Sequence, residues 1–198
     1  MSCAYCRKEA VYKCSVCGRL ACGEHIELRT VCPSCISKKS LNYSINKATS
    51  QEEKEKIRGM VKRFWGEQEQ IAFNRKFVVA ELHAYVTKSE NNIIGFVSYA
   101  EMEDAFLIVA LGVLPKHQGV GVGRSLVEKV QVEAKKLRKN RLLVATSNDD
   151  LPALAFYQSL GFQIYEVKTG VIAEKHGKVL KGVGGLPIRD ELKLHKPV

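Results

Sequence analysis

A mixed central β-sheet with flanking helices, preceded by a small cysteine-rich module, is the architecture this sequence predicts. Three observations carry the prediction. All seven cysteines lie between Cys3 and Cys35, leaving the rest of the chain without one. Beyond residue 41, strand-like and helix-like runs follow one another, and in the second half they alternate. A glycine-rich turn at 118–123 joins a long apolar run to an amphipathic one.

With 198 residues the chain can bury one good core and carry an appendage held together by other means. A hydrophobic content of 45% with 26% charged residues is ordinary for a globular protein in water. No apolar run approaches the roughly 20 residues of a membrane span, which excludes a membrane role. Residues 1–10 carry charge and cysteine where a secretory signal needs an apolar stretch, so a cytoplasmic location is expected. In a reducing compartment, cysteines in pairs two residues apart point to metal ligation more than to disulfides.

The candidate ligands read Cys3-x2-Cys6-x7-Cys14-x2-Cys17-x4-Cys22-x2-His25-x6-Cys32-x2-Cys35. Each two-residue knuckle can point two donor atoms at one ion, and tetrahedral zinc needs two knuckles, so eight ligands make two sites. Interleaved pairing places Cys3, Cys6, Cys22 and His25 on one zinc and Cys14, Cys17, Cys32 and Cys35 on the other; sequential pairing is the alternative. The short gap between Cys17 and Cys22 favours the interleaved, cross-brace form, which resembles B-box and RING fingers. Apolar residues are sparse here, so two structural Zn2+ ions supply most of the folding free energy, and saturation by protein ligands leaves no catalytic position. Binding seven thiolates and two zinc ions would lower the formal charge of +10 to about +7. The excess is still basic. Without aromatic residues interleaved among Arg7, Lys8, Lys13, Arg19 and Arg29, a protein partner is expected before a nucleic acid. The domain boundaries read 1–36 for the double-zinc finger, 37–40 for a linker and 41–198 for the larger domain.

In the larger domain, Leu41, Tyr43 and Ile45 alternate with polar neighbours as a strand, and Thr49 or Ser50 followed by Glu52 and Glu53 caps a helix. Ile57, Met60, Val61, Phe64, Gln68, Ile71 and Ala72 continue at helical spacing, interrupted by Gly59 and Gly66, and predict two helices or one kinked helix. Trp65 on this stripe reads as packing rather than as a ligand-stacking residue. Strands are expected at 77–87 and 93–99 about a polar turn, and the apolar 105–114 is a strand buried on both faces. A helix over 123–140, a strand at 141–146, a helix at 151–160 ended by Gly161, and strands at 162–167 and 188–194 complete the domain.

Between the buried strand and the long helix stand Gln118, Gly119, Val120, Gly121, Val122, Gly123, Arg124 and Ser125. Glycines let backbone N–H groups approach an anion, and the helix N-terminus adds partial positive charge, so this element suits a pyrophosphate. No Gly-Lys-Ser/Thr follows, which sets aside a nucleoside triphosphate loop.

At these residues the sequence resembles the GNAT acetyltransferase family, whose Gln/Arg-x-x-Gly-x-Gly/Ala signature is matched by Gln118, Gly121 and Gly123. Asn148, then the run from Ala153 through Phe156 and Tyr157 to Gly161 and Phe162, is similar to a second family feature. The segment from Gly185 to Leu192 is similar to the closing strand of a prokaryotic branch, archaeal members being the expectation. The resemblance implies the GNAT acyl-CoA N-acyltransferase fold over residues 41–196 and acetyl-CoA as cosubstrate. It implies that the backbone of Leu111, Gly112 and Val113 pairs with the pantetheine arm, that residues 118–125 hold the pyrophosphate, and that Asn148 and Tyr157 lie near the thioester.

Acyl transfer to an amine needs a proton source for the leaving thiolate, for which Tyr157 is the candidate, since a phenol is protonated at neutral pH. Phe106 to Ala110 is wholly apolar, so the family's glutamate base on that strand has no counterpart. Glu101 is the first candidate, with Glu103, Asp104, Glu81 and His83 behind it. The expectation is an N-acetyltransferase acting on a primary amine, chiefly of a protein that the finger recruits. A small amine is the rival substrate, and an inactive CoA-fold scaffold the rival class.

Overall fold

The computed structural model describes residues 2–10, 12–13, 20–25 and 41–198. The expected ligands Cys14, Cys17, Cys32 and Cys35 and the 37–40 linker lie outside these residues. In the N-terminal module, β1 (Tyr12–Lys13) pairs antiparallel with β2 (Leu20–Ala21), and a 3-10 turn follows at Gly23–His25. Cys3, Ala21 and Cys22 are the buried apolar residues of its described part.

The larger domain runs β3 (Ser44–Lys47), α1 (Gln51–Trp65), β4 (Glu69–Ala72), β5 (Arg75–Val78), β6 (His83–Ser89), β7 (Asn92–Glu101), β8 (Ala105–Val113), α2 (Val122–Lys136), β9 (Arg141–Ser147), α3 (Leu151–Ser159), β10 (Gln163–Lys168), α4 (Val171–His176), β11 (Leu180–Lys181), β12 (Pro187–Ile188) and β13 (Glu191–Pro197). Seven strands form one sheet in the order β10-β13-β9-β8-β7-β6-β3. Only the central β8–β9 pair is parallel, so the sheet is mixed, as the sequence predicts. No described helix is long and apolar enough to cross a membrane.

The start of α1 is the capping box expected at Ser50. The Ser50 hydroxyl accepts from the Glu53 N–H at 3.2 Å, and the Glu53 carboxylate accepts from the Ser50 and Thr49 N–H groups at 3.0 and 2.9 Å. The helix then stops one stretch short of the sequence prediction. Gly66 adopts φ 78°, a left-handed conformation open to glycine, and its N–H closes on the Lys62 carbonyl. Instead of a second helix there is a β-hairpin, with Gln70 opposite Phe77 and Ala72 opposite Arg75. Burial of alternate residues on it, Ala72 and Phe77, overrides the apparent helical spacing of Ile71 and Ala72. Trp65 is 41% exposed and packs its edges on Phe64 and Phe96 at 5.6 and 6.3 Å between centroids.

The two faces of the sheet carry different covers. Phe106, Ile108, Leu142, Val144 and Leu194 point toward Leu126, Val127 and Val130 of α2, with Tyr157 of α3 in the same cluster. On the other face Phe96 and Ala110 pack beneath Ile57, Met60 and Val61 of α1, and Ala105, Leu107 and Leu143 beneath Ala72 and Phe77 of the hairpin. The expected strand 188–194 is divided into β12 and β13, and the segment between β10 and β13 adds α4 and β11, for which the sequence had offered no element.

Candidate active site

The parallel pairing of β8 with β9 runs from Ala105 opposite Arg141 to Ile108 opposite Val144 and ends there, although β8 continues to Val113 and β9 to Ser147. At the same place β8 carries a bulge. Ser98 pairs with Ala110, but its neighbour Tyr99 pairs with Ile108, which leaves Val109 as the extra residue. Past the bulge the β9-facing backbone of Leu111, Gly112 and Val113 therefore has no strand partner among the described residues. An extended ligand can pair there as a further strand would.

The open edge leads to the glycine loop. After a 3-10 turn at Pro115–His117, the Gln118 side-chain amide donates to the Val113 carbonyl at 2.8 Å and fastens the loop to the end of β8. Gly119 and Gly121 have φ 80° and 88°. Gly121 is the N-cap of α2, and no side chain caps the helix, so its first N–H groups face outward around Val122, Gly123 and Arg124. The first turn holds no acid and one cation, exposed Arg124. Ser125 Oγ is 3.0 Å from the Tyr43 hydroxyl, which ties the turn to the residue before β3. A Cβ on Gly123 would stand 3.3 Å from Phe156 Cζ, so α2 and α3 approach closely here. Open amides, a helix dipole and a nearby cation are the elements from which anion sites are built.

Tyr157 is 6% exposed, between Phe156 and Phe162 with ring centroids 5.2 and 5.3 Å away. Burial, reinforced by the Asp150 carboxylate, pushes its phenol above the ordinary tyrosine range. Its hydroxyl thus keeps its proton throughout the neutral range. Asn148, expected near the reacting group, clamps the chain ahead of β13. Its Nδ2 donates to the Pro187 carbonyl at 2.8 Å, and its Oδ1 accepts from Arg189 and Asp190 N–H at 2.8 and 2.9 Å. Next to it, Asp149 is 4% exposed and accepts from Val183 N–H at 3.0 Å, pinning the turn before β12. Only a partner 34 positions away defines that role, and no spacing in the sequence signals it.

Among the base candidates, the acids Glu101, Asp104 and Glu81 are engaged in ion pairs. Glu101 pairs with Lys139 at 2.8 Å, and this hydrogen-bonded ammonium lowers its pKa, making it a weaker base. Asp104 pairs with Arg141 at 3.0 Å, Glu81 with Arg58 at 2.9 Å, and His83 stacks on Tyr99 at 5.7 Å.

In the N-terminal module, the donor atoms of Cys3, Cys6, Cys22 and His25 all lie within 4.8 Å of one another. Cys6 and Cys22 sulfurs are 3.7 Å apart, and His25 Nδ1 is 3.3 Å from Cys22 and 3.9 Å from Cys3 sulfur. Ligands about 2.0–2.3 Å from one tetrahedral zinc stand about 3.5–3.8 Å apart, so the donor set fits such an ion. These are the four residues of the interleaved pairing. Burial alone would raise the Cys3 pKa, but backbone amides of Tyr5, Cys22 and Cys6 bring it down to about 6, toward the thiolate a metal needs.

The uncharacterized protein YxbD of Bacillus subtilis (strain 168) is 28% identical over 153 residues, 75% of this chain and 95% of that protein. The peptidyl-lysine N-acetyltransferase YiaC of Escherichia coli (strain K12) is 32% identical over 96 residues, 48% of this chain and 60% of its own. Among solved structures, an Elizabethkingia anophelis GNAT family acetyltransferase with acetyl-CoA bound shares the fold at TM-score 0.59 and 20% identity, covering 79% of this chain and 99% of the other. The family model of the Acetyltransferase (GNAT) family matches residues 48–162, more than half of the sequence. The chain is a member of the GNAT acetyltransferase family.

Proposed function

We propose that this acetyltransferase moves the acetyl group of acetyl-CoA to a primary amine of a protein, and that residues 1–36 form a zinc-stabilised module that recruits the substrate. The observation that carries the transfer is the β8 edge released after Ile108, ending at an uncapped helix N-terminus. In this reading Leu111, Gly112 and Val113 pair with the pantetheine arm, and the amides of 119–123, with Gln118, Arg124 and Ser125 around them, hold the pyrophosphate. The thioester then lies at the gap between β8 and β9, within reach of α3.

A neutral amine attacks the thioester carbonyl, the carbon–sulfur bond breaks and the thiolate takes the proton of Tyr157, while the acylated nitrogen gives its surplus proton to solvent and the phenolate regains one from solvent. With Glu101, Asp104 and Glu81 held in ion pairs, the amine in this reading arrives deprotonated from solution. With that order of events, kcat/KM rises tenfold per pH unit below the pKa of the amine, without a plateau set by a carboxylate. A plateau beginning near pH 5–6 would instead reveal an enzymic base.

Cys3, Cys6, Cys22 and His25 would hold one Zn2+, and Cys14, Cys17, Cys32 and Cys35 a second. Zinc closed by four protein ligands supplies folding free energy and no catalysis. A peptidyl-lysine enzyme among the relatives supports a protein amine as acceptor. The test is an acetylation assay of the full chain on peptides and small amines, repeated for Cys3→Ser. Transfer to peptides that weakens in the variant is expected. Activity on small amines alone, unchanged by Cys3→Ser, would overturn the protein-substrate reading.

A further inference from the structure

In the proposed transfer the glycine loop and Tyr157 lie on the α2 side of the sheet, so the amine arrives from the opposite face. At the mouth of the gap on that face stand Val109 of β8 and Ala145 of β9, both packed against the apolar cluster in which Ala72 and Phe77 of the β4–β5 hairpin meet Ala105, Leu107 and Leu143 of the sheet. The hairpin therefore sits over the last paired residues of β8 and β9 and flanks the gap on that face.

Its turn is a poor local sequence. Phe73 and Asn74 join paired Ala72 and Arg75 and both have positive φ, 54° and 58°. Two-residue turns of this kind favour Asn-Gly, and a bulky phenylalanine at positive φ is strained. Something outside the hairpin must hold it. Glu191 of β13 accepts from the Phe73 N–H at 3.3 Å, and the Lys193 ammonium lies 4.8 Å over the Phe73 ring. Lys193 itself is 5% exposed and bonded to Glu166 at 2.9 Å, with Glu191 4.0 Å away. Lys168, 3.9 Å from Glu166, completes a set of two cations and two carboxylates. Charges this buried destabilise unless each keeps its partner, so the set has one favoured arrangement.

We propose that Glu191 and Lys193 are positioning residues: they fix the Phe73 turn to β13 and so hold the hairpin as the acceptor-side wall of the active site. Burial alone would lower the Lys193 pKa, but Glu166 and Glu191 hold it above the ordinary lysine range, so the clamp stays charged at neutral pH. The inference rests on the proposed amine transfer for what the wall does, though not for the clamp itself.

Two readouts on the full chain separate the two. Hydrogen exchange of residues 69–78 reports the clamp without any activity. Steady-state kinetics with acetyl-CoA and a lysine peptide report the wall. Lys193→Met is expected to speed hairpin exchange about tenfold and raise the peptide KM about tenfold, with the acetyl-CoA KM within about twofold, while Lys193→Arg restores both. Phe73→Leu, which keeps a strained side chain at positive φ but removes the ring under the ammonium, is expected to act in the same direction and guards against misfolding of the lysine variant. Unchanged exchange in both variants overturns the clamp, and faster exchange with an unchanged peptide KM overturns the wall. Failure of the wild type to bind acetyl-CoA in calorimetry overturns the underlying transfer reading, and is seen before any variant is made.

Discussion

On the α2 face of the sheet the candidate recognition groups are backbone amides between Gly119 and Arg124, set out by left-handed glycines and a helix start without a side-chain cap. On the hairpin face the proposed wall is held by side chains, a glutamate and a lysine of β13 meeting a strained phenylalanine turn at least 118 positions earlier in the chain. Backbone recognition of a phosphate depends on conformation and is written in a short contiguous stretch. A wall held by side chains depends on groups that meet only after the sheet has formed.

If the comparison holds, lesions on one face leave the other intact. The largest effect is expected from Gly121→Val. A branched residue at φ 88° is strained and tilts the amides away from an anion, so acetyl-CoA affinity measured by calorimetry falls about a hundredfold. Hairpin exchange stays unchanged. Next is Tyr157→Phe, which keeps the packing against Phe156 and Phe162 but removes the proton, and lowers kcat about a hundredfold at unchanged acetyl-CoA affinity. Since burial raises the phenol's pKa, wild-type kcat shows no loss from its ionisation up to about pH 10.

A smaller effect concerns the acceptor face through α1. The hydrogen-bonded Lys88 ammonium, together with the Ser50 and Thr49 amides, holds Glu53 down to about 2 from 4.5. A folded-state pKa below the unfolded one gives stability that is full above about pH 4.5 and lost as the pH falls through about 2. Urea titration of Glu53→Gln should show a loss of about 1–2 kcal/mol at pH 7, after allowance for solvent screening, and almost none near pH 2. The smallest effect belongs to Glu101→Gln. Its carboxylate serves Lys139 on the surface, and kcat/KM should stay within about threefold of wild type.

The glycine loop, the cap at Ser50, the buried β8 and the order of the late strands and helices were legible because each rests on local chemistry or a single period. The hairpin was not. Ile71 and Ala72 fit a helical stripe as well as a strand, and the residues that decide between them, Glu191 and Leu143, lie far along the chain. Asn148 was visible as a motif residue, but its three hydrogen bonds to 187–190 show a clamp that only the return of the chain creates. In the N-terminal module the reverse applies. Knuckle spacing and the finger resemblance favoured Cys3, Cys6, Cys22 and His25 as one set over sequential pairing, and their donor atoms lie within 4.8 Å of one another, a spacing compatible with one tetrahedral ion.

The most direct measurement is mass spectrometry of a lysine-containing peptide after incubation with acetyl-CoA and the full chain, alongside the Gly121→Val and Tyr157→Phe variants. The account predicts an acetylated amine with the wild type, formed much more slowly by either variant. Acetyl-CoA binding by the wild type without transfer to any peptide or small amine would contradict it, as would transfer that both variants support at the wild-type rate.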